Sequence, residues 1–166
     1  MRTWAIDLAK EAFKFSAAHF LIFPDGSAER LHGHNYRVYV SLESGLCEHG
    51  LVIDFKMIKP LIKELVDELD EHWLVPGEHQ VLTVRELEGD VTEVTYLERR
   101  YTAPSEDVIV LPVNNTSVEN LAGWLLDRLR ERFEARFPGV ELASMRVAVE
   151  ETLGQRAACT WRREPS

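Results

Sequence analysis

Apolar and polar positions alternate in "NYRVYVSLES", where Tyr36, Val38, Val40 and Leu42 are interleaved with Arg37, Tyr39, Ser41 and Glu43. This period of two predicts a strand with one buried face. The segment Thr3 to His19 carries the same signal, with Phe13 and Phe15 on either side of Lys14. The period then lengthens. In "DFKMIKPLIKELVDELD", Phe55, Ile58, Leu61, Ile62, Leu65, Val66 and Leu69 recur at three- and four-residue steps, which predicts an amphipathic helix with Asp54 as N-cap. Pro60 lies inside this pattern and lacks a backbone donor, so the helix is expected either to start late, near Lys59, or to kink.

A second helix is predicted in "NNTSVENLAGWLLDRLRERFEARFPG". Thr116 and Glu119 form a capping box, Val118, Leu121, Leu125, Leu129 and Phe133 run down one side, and Pro138-Gly139 stops it. "VELASMRVAVEET" and "QRAACTWRR" follow as a strand pair joined near Leu153 and Gly154. Between the helices, an insert from about 75 to 113 holds "VLTVREL", "DVTEVTYLERRY" and "DVIVLPV", short strands placed around a Gly89-Asp90 turn signal. Strands at both ends with separated helices predict an α+β fold, the helices layered on one face of an antiparallel sheet.

The 166 residues, 45% of them hydrophobic, suit a single domain spanning 1–166. A formal net charge of -9 makes nucleic acid and anionic membrane surfaces poor partners, while a small anionic substrate needs a locally positive pocket. No basic-plus-apolar leader and no run approaching the ~18 apolar residues of a membrane span is visible. Cys47 and Cys159 are too few for a disulfide scaffold. The expectation is a soluble cytoplasmic protein.

Chemistry concentrates in "AERLHGHNYRV". Residues i and i+2 of a strand share a face, so His32 and His34 aim both imidazoles to one side of Gly33. Alone, such a pair is better explained by surface or core histidines that merely hydrogen-bond. His19 ends the other N-terminal strand, and a hairpin would bring its ring to the same point. Three neutral imidazoles with one open position suit catalytic zinc, though other transition metals accept them. A structural zinc site would need a fourth protein ligand, for which Cys47 is the nearest thiol. His49 and His79 read as solvated loop residues.

"FSAAHFLIF", "ERLHGHNYRV", "VIDF", "LDEH", "NTSVENLA" and "VEET" resemble, in order and spacing, the 6-pyruvoyl-tetrahydropterin synthase family, which includes the 6-carboxytetrahydropterin synthases of queuosine biosynthesis. The resemblance covers nearly the whole chain outside the insert. It implies a tunnelling fold: a four-stranded antiparallel sheet with two helices, assembled as trimers or hexamers with sites shared between subunits. It also implies zinc on His19, His32 and His34, and 7,8-dihydroneopterin triphosphate as the substrate.

Two departures shape the expected reaction. The pyruvoyl and carboxy types carry a catalytic cysteine four residues before H-G-H, where this chain has Ala28; Glu29 follows, as in a variant branch in which glutamate replaces cysteine and the product is 6-hydroxymethyl-dihydropterin, a folate precursor. A carboxylate beside a metal can accept a proton from a substrate hydroxyl, whereas the plain alternative is a charged loop residue. The family's adjacent Asp-His relay is here Asp70, Glu71, His72. One extra residue turns a helical side chain by roughly 100°, so Asp70 and His72 stand as relay candidates, with helix capping as the alternative. By resemblance, Glu151 holds the pterin's amino-pyrimidine edge, and Thr116 and Ser117 contribute ring contacts. Glu150 reads as an exposed strand-end acid.

The expected activity is therefore a zinc-dependent lyase yielding 6-hydroxymethyl-7,8-dihydropterin. Formation of 6-carboxytetrahydropterin or 6-pyruvoyltetrahydropterin is the alternative within the class, and a non-catalytic pterin- or zinc-binding protein the alternative outside it.

Overall fold

The computed structural model describes residues 2–164, so Met1, Pro165 and Ser166 of the expected 1–166 domain lie outside the described residues. The N-terminal segment forms two strands, β1 (Trp4–Leu8) and β2 (Lys14–His19), and both pair antiparallel with β3 (His32–Ser44). β1 takes the far half of β3 and β2 the near half. The other edge of β3 pairs with β9 (Leu142–Thr152), which pairs in turn with β10 (Gln155–Arg162). This antiparallel body carries α1 (Phe55–Asp67) and α2 (Val118–Arg136) on one face, consistent with the expected α+β class.

Alternation places the core. Phe15 and Ala17 of β2, Tyr36, Val38, Val40 and Leu42 of β3, and Met145, Val147 and Val149 of β9 meet Ile58, Ile62 and Leu65 of α1 and Leu121, Leu125, Leu129 and Phe133 of α2. Removing these apolar side chains from water is the main drive that seats the helices on the sheet.

The helix termini decide one expectation and correct another. α1 begins at Phe55, so of the two outcomes expected of Pro60 the late start near Lys59 is excluded, while Asp54 is the expected N-cap, its side chain accepting the Lys56 amide at 2.8 Å and securing the first turn. The missing donor of Pro60 forfeits one ladder bond, which the buried face outweighs. α2 is capped by Ser117, whose hydroxyl accepts the Asn120 amide, and not by Thr116. Asp54→Ala is expected to cost about 1 kcal/mol, a fall in Tm of about 2–4 °C for a chain of this size, with metal content unchanged; thermal melts paired with metal analysis check it.

The insert differs most from expectation. β4 (His72–Pro76) extends the main sheet by pairing parallel with β2, and β8 (Val108–Leu111) pairs parallel with β4, giving the order β10-β9-β3-β2-β4-β8 with β1 alongside. Between them, β5 (Thr83–Leu87), β6 (Val91–Tyr96) and β7 (Arg99–Pro104) form a separate antiparallel sheet, so "DVTEVTYLERRY" holds two strands broken at Leu97-Glu98. The Gly89-Asp90 turn is as expected, with both residues left-handed (φ 82° and 55°). A second apolar cluster, containing Phe20, Ile22, Trp73, Val75, Val94 and Tyr96, joins this small sheet to the main one. β4 is consequently buried on both faces, Leu74 toward the helices and Trp73 and Val75 toward the insert. Among the described residues no helix is long and apolar enough to cross a membrane.

Candidate active site

The register of β2 on β3 sets His19 directly opposite His32 and Ala17 opposite His34. Cross-strand partners share a face, so the three rings gather on the side where Phe15 and Tyr36 stack at 4.8 Å one step further along. Gly33 permits the close approach, since a Cβ there would stand 3.3 Å from the Ala17 carbonyl oxygen. One ligating nitrogen from each of His19, His32 and His34 lies within 4.8 Å of the others. The convergence expected from sequence is present.

Main-chain carbonyls fix two of the tautomers. His19 Nδ1 donates to the Thr116 carbonyl at 3.0 Å and His32 Nδ1 to the Arg30 carbonyl at 2.7 Å. With those protons committed, both Nε2 atoms present lone pairs to the centre. His32 Nε2 lies 2.9 Å from His34 Nε2. His19 is fully buried, and its Nε2 has no hydrogen-bond partner. Glu151 Oε1 stands only 3.2 Å from it, and 3.5 Å from His34 Nε2, but a carboxylate oxygen has no proton to give a lone pair. Converging lone pairs, an orphaned buried nitrogen and an adjacent carboxylate fit a transition-metal cation. Burial pushes the His19 imidazole below its ordinary range, the neighbouring His32 and His34 adding to this and the Thr116 bond and Glu151 opposing it, which favours the neutral, ligating form.

A cavity of about 910 Å³ opens beside this centre, and His34, His72, Glu151, Trp73 and Asn35 line it. His72 reaches it despite the extra residue. Glu71 adopts a left-handed conformation (φ 59°) and its amide donates to the Ser16 carbonyl at 2.7 Å, while the Ser16 amide donates to Asp70 Oδ1 at the same distance. The turn is thereby docked on β2, and β4 starts at His72 opposite Ala17. His72 Nδ1 donates to the Asp70 carbonyl at 2.6 Å, leaving Nε2 as the acceptor. The Asp70 carboxylate itself is not in the cavity wall.

Glu29 lies on the β2–β3 connection. Its Oε2 accepts the Leu21 amide at 3.1 Å and is 3.8 Å from His32 Nε2. Glu151 Oε1 also lies 3.5 Å from the Tyr36 hydroxyl, whose proton affinity is raised by burial and then by that carboxylate. Tyr36 was read from sequence only as a position on the buried face of a strand, although it continues the i, i+2 row of His32 and His34. Thr116 is fully buried behind His19 and its hydroxyl donates to the Phe20 carbonyl, so no free hydroxyl faces the cavity; Ser117 caps α2 and lines a different depression. Glu150 is buried, not exposed, and accepts from Tyr39 at 3.3 Å. Cys47 lies beyond the opposite end of β3 from the histidines. His49 sits in an exposed turn, and His79 Nδ1 accepts two loop amides at 3.2 Å.

The sequence profile of the 6-pyruvoyl tetrahydropterin synthase family matches residues 8–162. A Methanocaldococcus jannaschii protein assigned as a 6-carboxy-5,6,7,8-tetrahydropterin synthase is 33% identical over 146 residues, 87% of each chain. The Haemophilus influenzae 6-carboxy-5,6,7,8-tetrahydropterin synthase is 26% identical over 81% of this chain and 89% of its own. Among solved structures, the 6-pyruvoyltetrahydropterin synthase of Plasmodium vivax, in a variant with a catalytic glutamate changed to alanine, superimposes with a TM-score of 0.91 at 28% identity, covering 98% of this chain and 100% of that one. A profile match over nearly the whole length, together with relatives of the same fold and similar size, places this chain in the 6-pyruvoyl tetrahydropterin synthase family.

Proposed function

We propose that this protein is a zinc-dependent lyase that cleaves the side chain of 7,8-dihydroneopterin triphosphate to give 6-hydroxymethyl-7,8-dihydropterin. The observation that carries this reading is a carboxylate, Glu29, 3.8 Å from His32 Nε2 and directly after Ala28, which offers no acid-base group. The catalytic glutamate of the Plasmodium vivax relative supports it.

His19, His32 and His34 would hold the zinc, which when bound supplies positive charge that eases loss of a hydroxyl proton and offsets the negative charge developing on oxygen. Glu29 takes the proton of the C2′ hydroxyl. The C1′–C2′ bond then breaks, C2′ leaves as an aldehyde carrying the triphosphate, and the bonding pair passes into the ring's C6–N5 imine. His72 serves as the relay: its Nε2 takes up a proton from solvent and passes it to C1′ while Glu29 releases the hydroxyl proton to solvent, and the ring is oriented by the Asp70 carbonyl, not by the Asp70 carboxylate. Glu151 binds the pterin's amino-pyrimidine edge through paired N–H bonds. Thr116 positions His19 through its carbonyl. Among the described residues lining the cavity none is Lys or Arg, so a homo-oligomer with shared sites would supply the charge that neutralises the triphosphate.

The second reading, formation of 6-carboxytetrahydropterin, is favoured by the names of the relatives from Methanocaldococcus jannaschii and Haemophilus influenzae. Zinc-loaded protein incubated with 7,8-dihydroneopterin triphosphate separates the two by product mass. Release of 6-hydroxymethyl-7,8-dihydropterin is the expected result, and an unchanged substrate that nevertheless binds would indicate a non-catalytic pterin-binding protein.

A further inference from the structure

The β2–β3 connection folds back on itself. The Phe23 amide donates to the Ser27 carbonyl at 2.8 Å, the Glu29 amide to the Leu21 carbonyl at 3.0 Å, and Ile22 bridges Ala28. Within this small hairpin the Leu21 amide holds Glu29 Oε2. Asn115, which follows β8, ties the Ile22 arm of this connection by accepting the Ile22 amide at 3.2 Å and donating to the Ile22 carbonyl at 2.9 Å. The insert ties the opposite arm, which carries Glu29. Tyr96, the last residue of β6, donates its hydroxyl to the Gly26 carbonyl at 2.8 Å. Arg99, the first residue of β7, forks across the peptide that joins Ala28 to Glu29: one terminal nitrogen donates to the Ala28 carbonyl at 2.8 Å and the other to the carbonyl of Glu29.

We propose that Arg99 is a positioning residue for Glu29, holding the carboxylate at His32 by clamping the two main-chain carbonyls on either side of the Glu29 nitrogen and α-carbon. The inference rests on the reading of Glu29 as the base. A guanidinium is planar and presents paired donors, so it constrains direction as well as distance, which a single ammonium does not. Its charge makes each bond stronger than a neutral one. Arg99 is half-buried beside the apolar contact of Ala28 with the insert cluster, which limits competition from water. The strand-rich insert thereby acquires a role in catalysis without contributing a group to the cavity centre.

The test uses zinc-loaded full-length protein and 7,8-dihydroneopterin triphosphate, with Arg99→Ala, Arg99→Lys, Glu29→Gln and the Arg99→Ala/Glu29→Gln double variant. A displacement of about 1 Å at a reacting group costs on the order of 100-fold. Arg99→Ala should therefore lower kcat by about 10- to 100-fold while KM and zinc content hold, and Arg99→Lys should recover part of the loss. In the Glu29→Gln background, Arg99→Ala should add little, because the group it positions has already been disabled. Wild-type kcat in Arg99→Ala overturns the proposal, as does an undiminished further loss in the double variant. If Arg99→Ala does not fold, Arg99→Lys carries the test, since it keeps the stem and charge but not the fork; wild-type kcat there overturns the proposal too. Failure of the underlying reading is seen separately, as wild-type turnover in Glu29→Gln alone.

Discussion

Glu29→Gln is expected to lower turnover of 7,8-dihydroneopterin triphosphate by the ~10² to 10⁴ associated with loss of a general base, with zinc content and melting temperature close to wild type. The amide is nearly the same shape as the carboxylate, and its oxygen can still accept the Leu21 amide that orients Glu29 Oε2. What it cannot do is take a proton. Steady-state kinetics on metal-replete protein measure the change, and a rate within a few-fold of wild type removes Glu29 from the mechanism.

His32→Ala is expected to strip the metal and, with it, activity. Each bound ion of this kind supplies several kcal/mol of charge stabilisation, so its absence corresponds to about 10²-fold or more in rate. His32 is a cleaner choice than His19. Its side chain is 37% exposed, whereas that of His19 is 0% exposed. Deleting His19 would leave a void and an unpaired Thr116 carbonyl, mixing a folding defect with the loss of a ligand. Metal analysis after dialysis, alongside a melt, checks the prediction; full occupancy in a folded His32→Ala protein contradicts the ligand assignment.

Sequence pattern reached the strands and helices whose burial is one-sided. β3 and α1 were legible because Val38 and Val40, or Ile58 and Leu65, recur at the period of their element. β4 was not. With Trp73, Leu74 and Val75 all buried, its two faces erase the alternation that would have marked it, a property of strands covered on both sides. The histidine triad was legible because strand pairing makes spacing into geometry. The Arg99 clamp had no local signal, since it joins carbonyls 70 and 71 residues away. Thr116 was misassigned to the cap for a related reason: its carbonyl and hydroxyl are consumed by His19 and Phe20, partners that only the tertiary fold supplies.

The left-handed Glu71 bears on how kinship is traced among proteins of this kind. The turn it makes separates the end of α1 from the start of β4, so the imidazole of His72 keeps its place by reference to β4 and not to α1. Searches that demand an adjacent Asp-His dipeptide would discard such chains as degenerate. Anchoring the count on the strand that carries the imidazole would recover them.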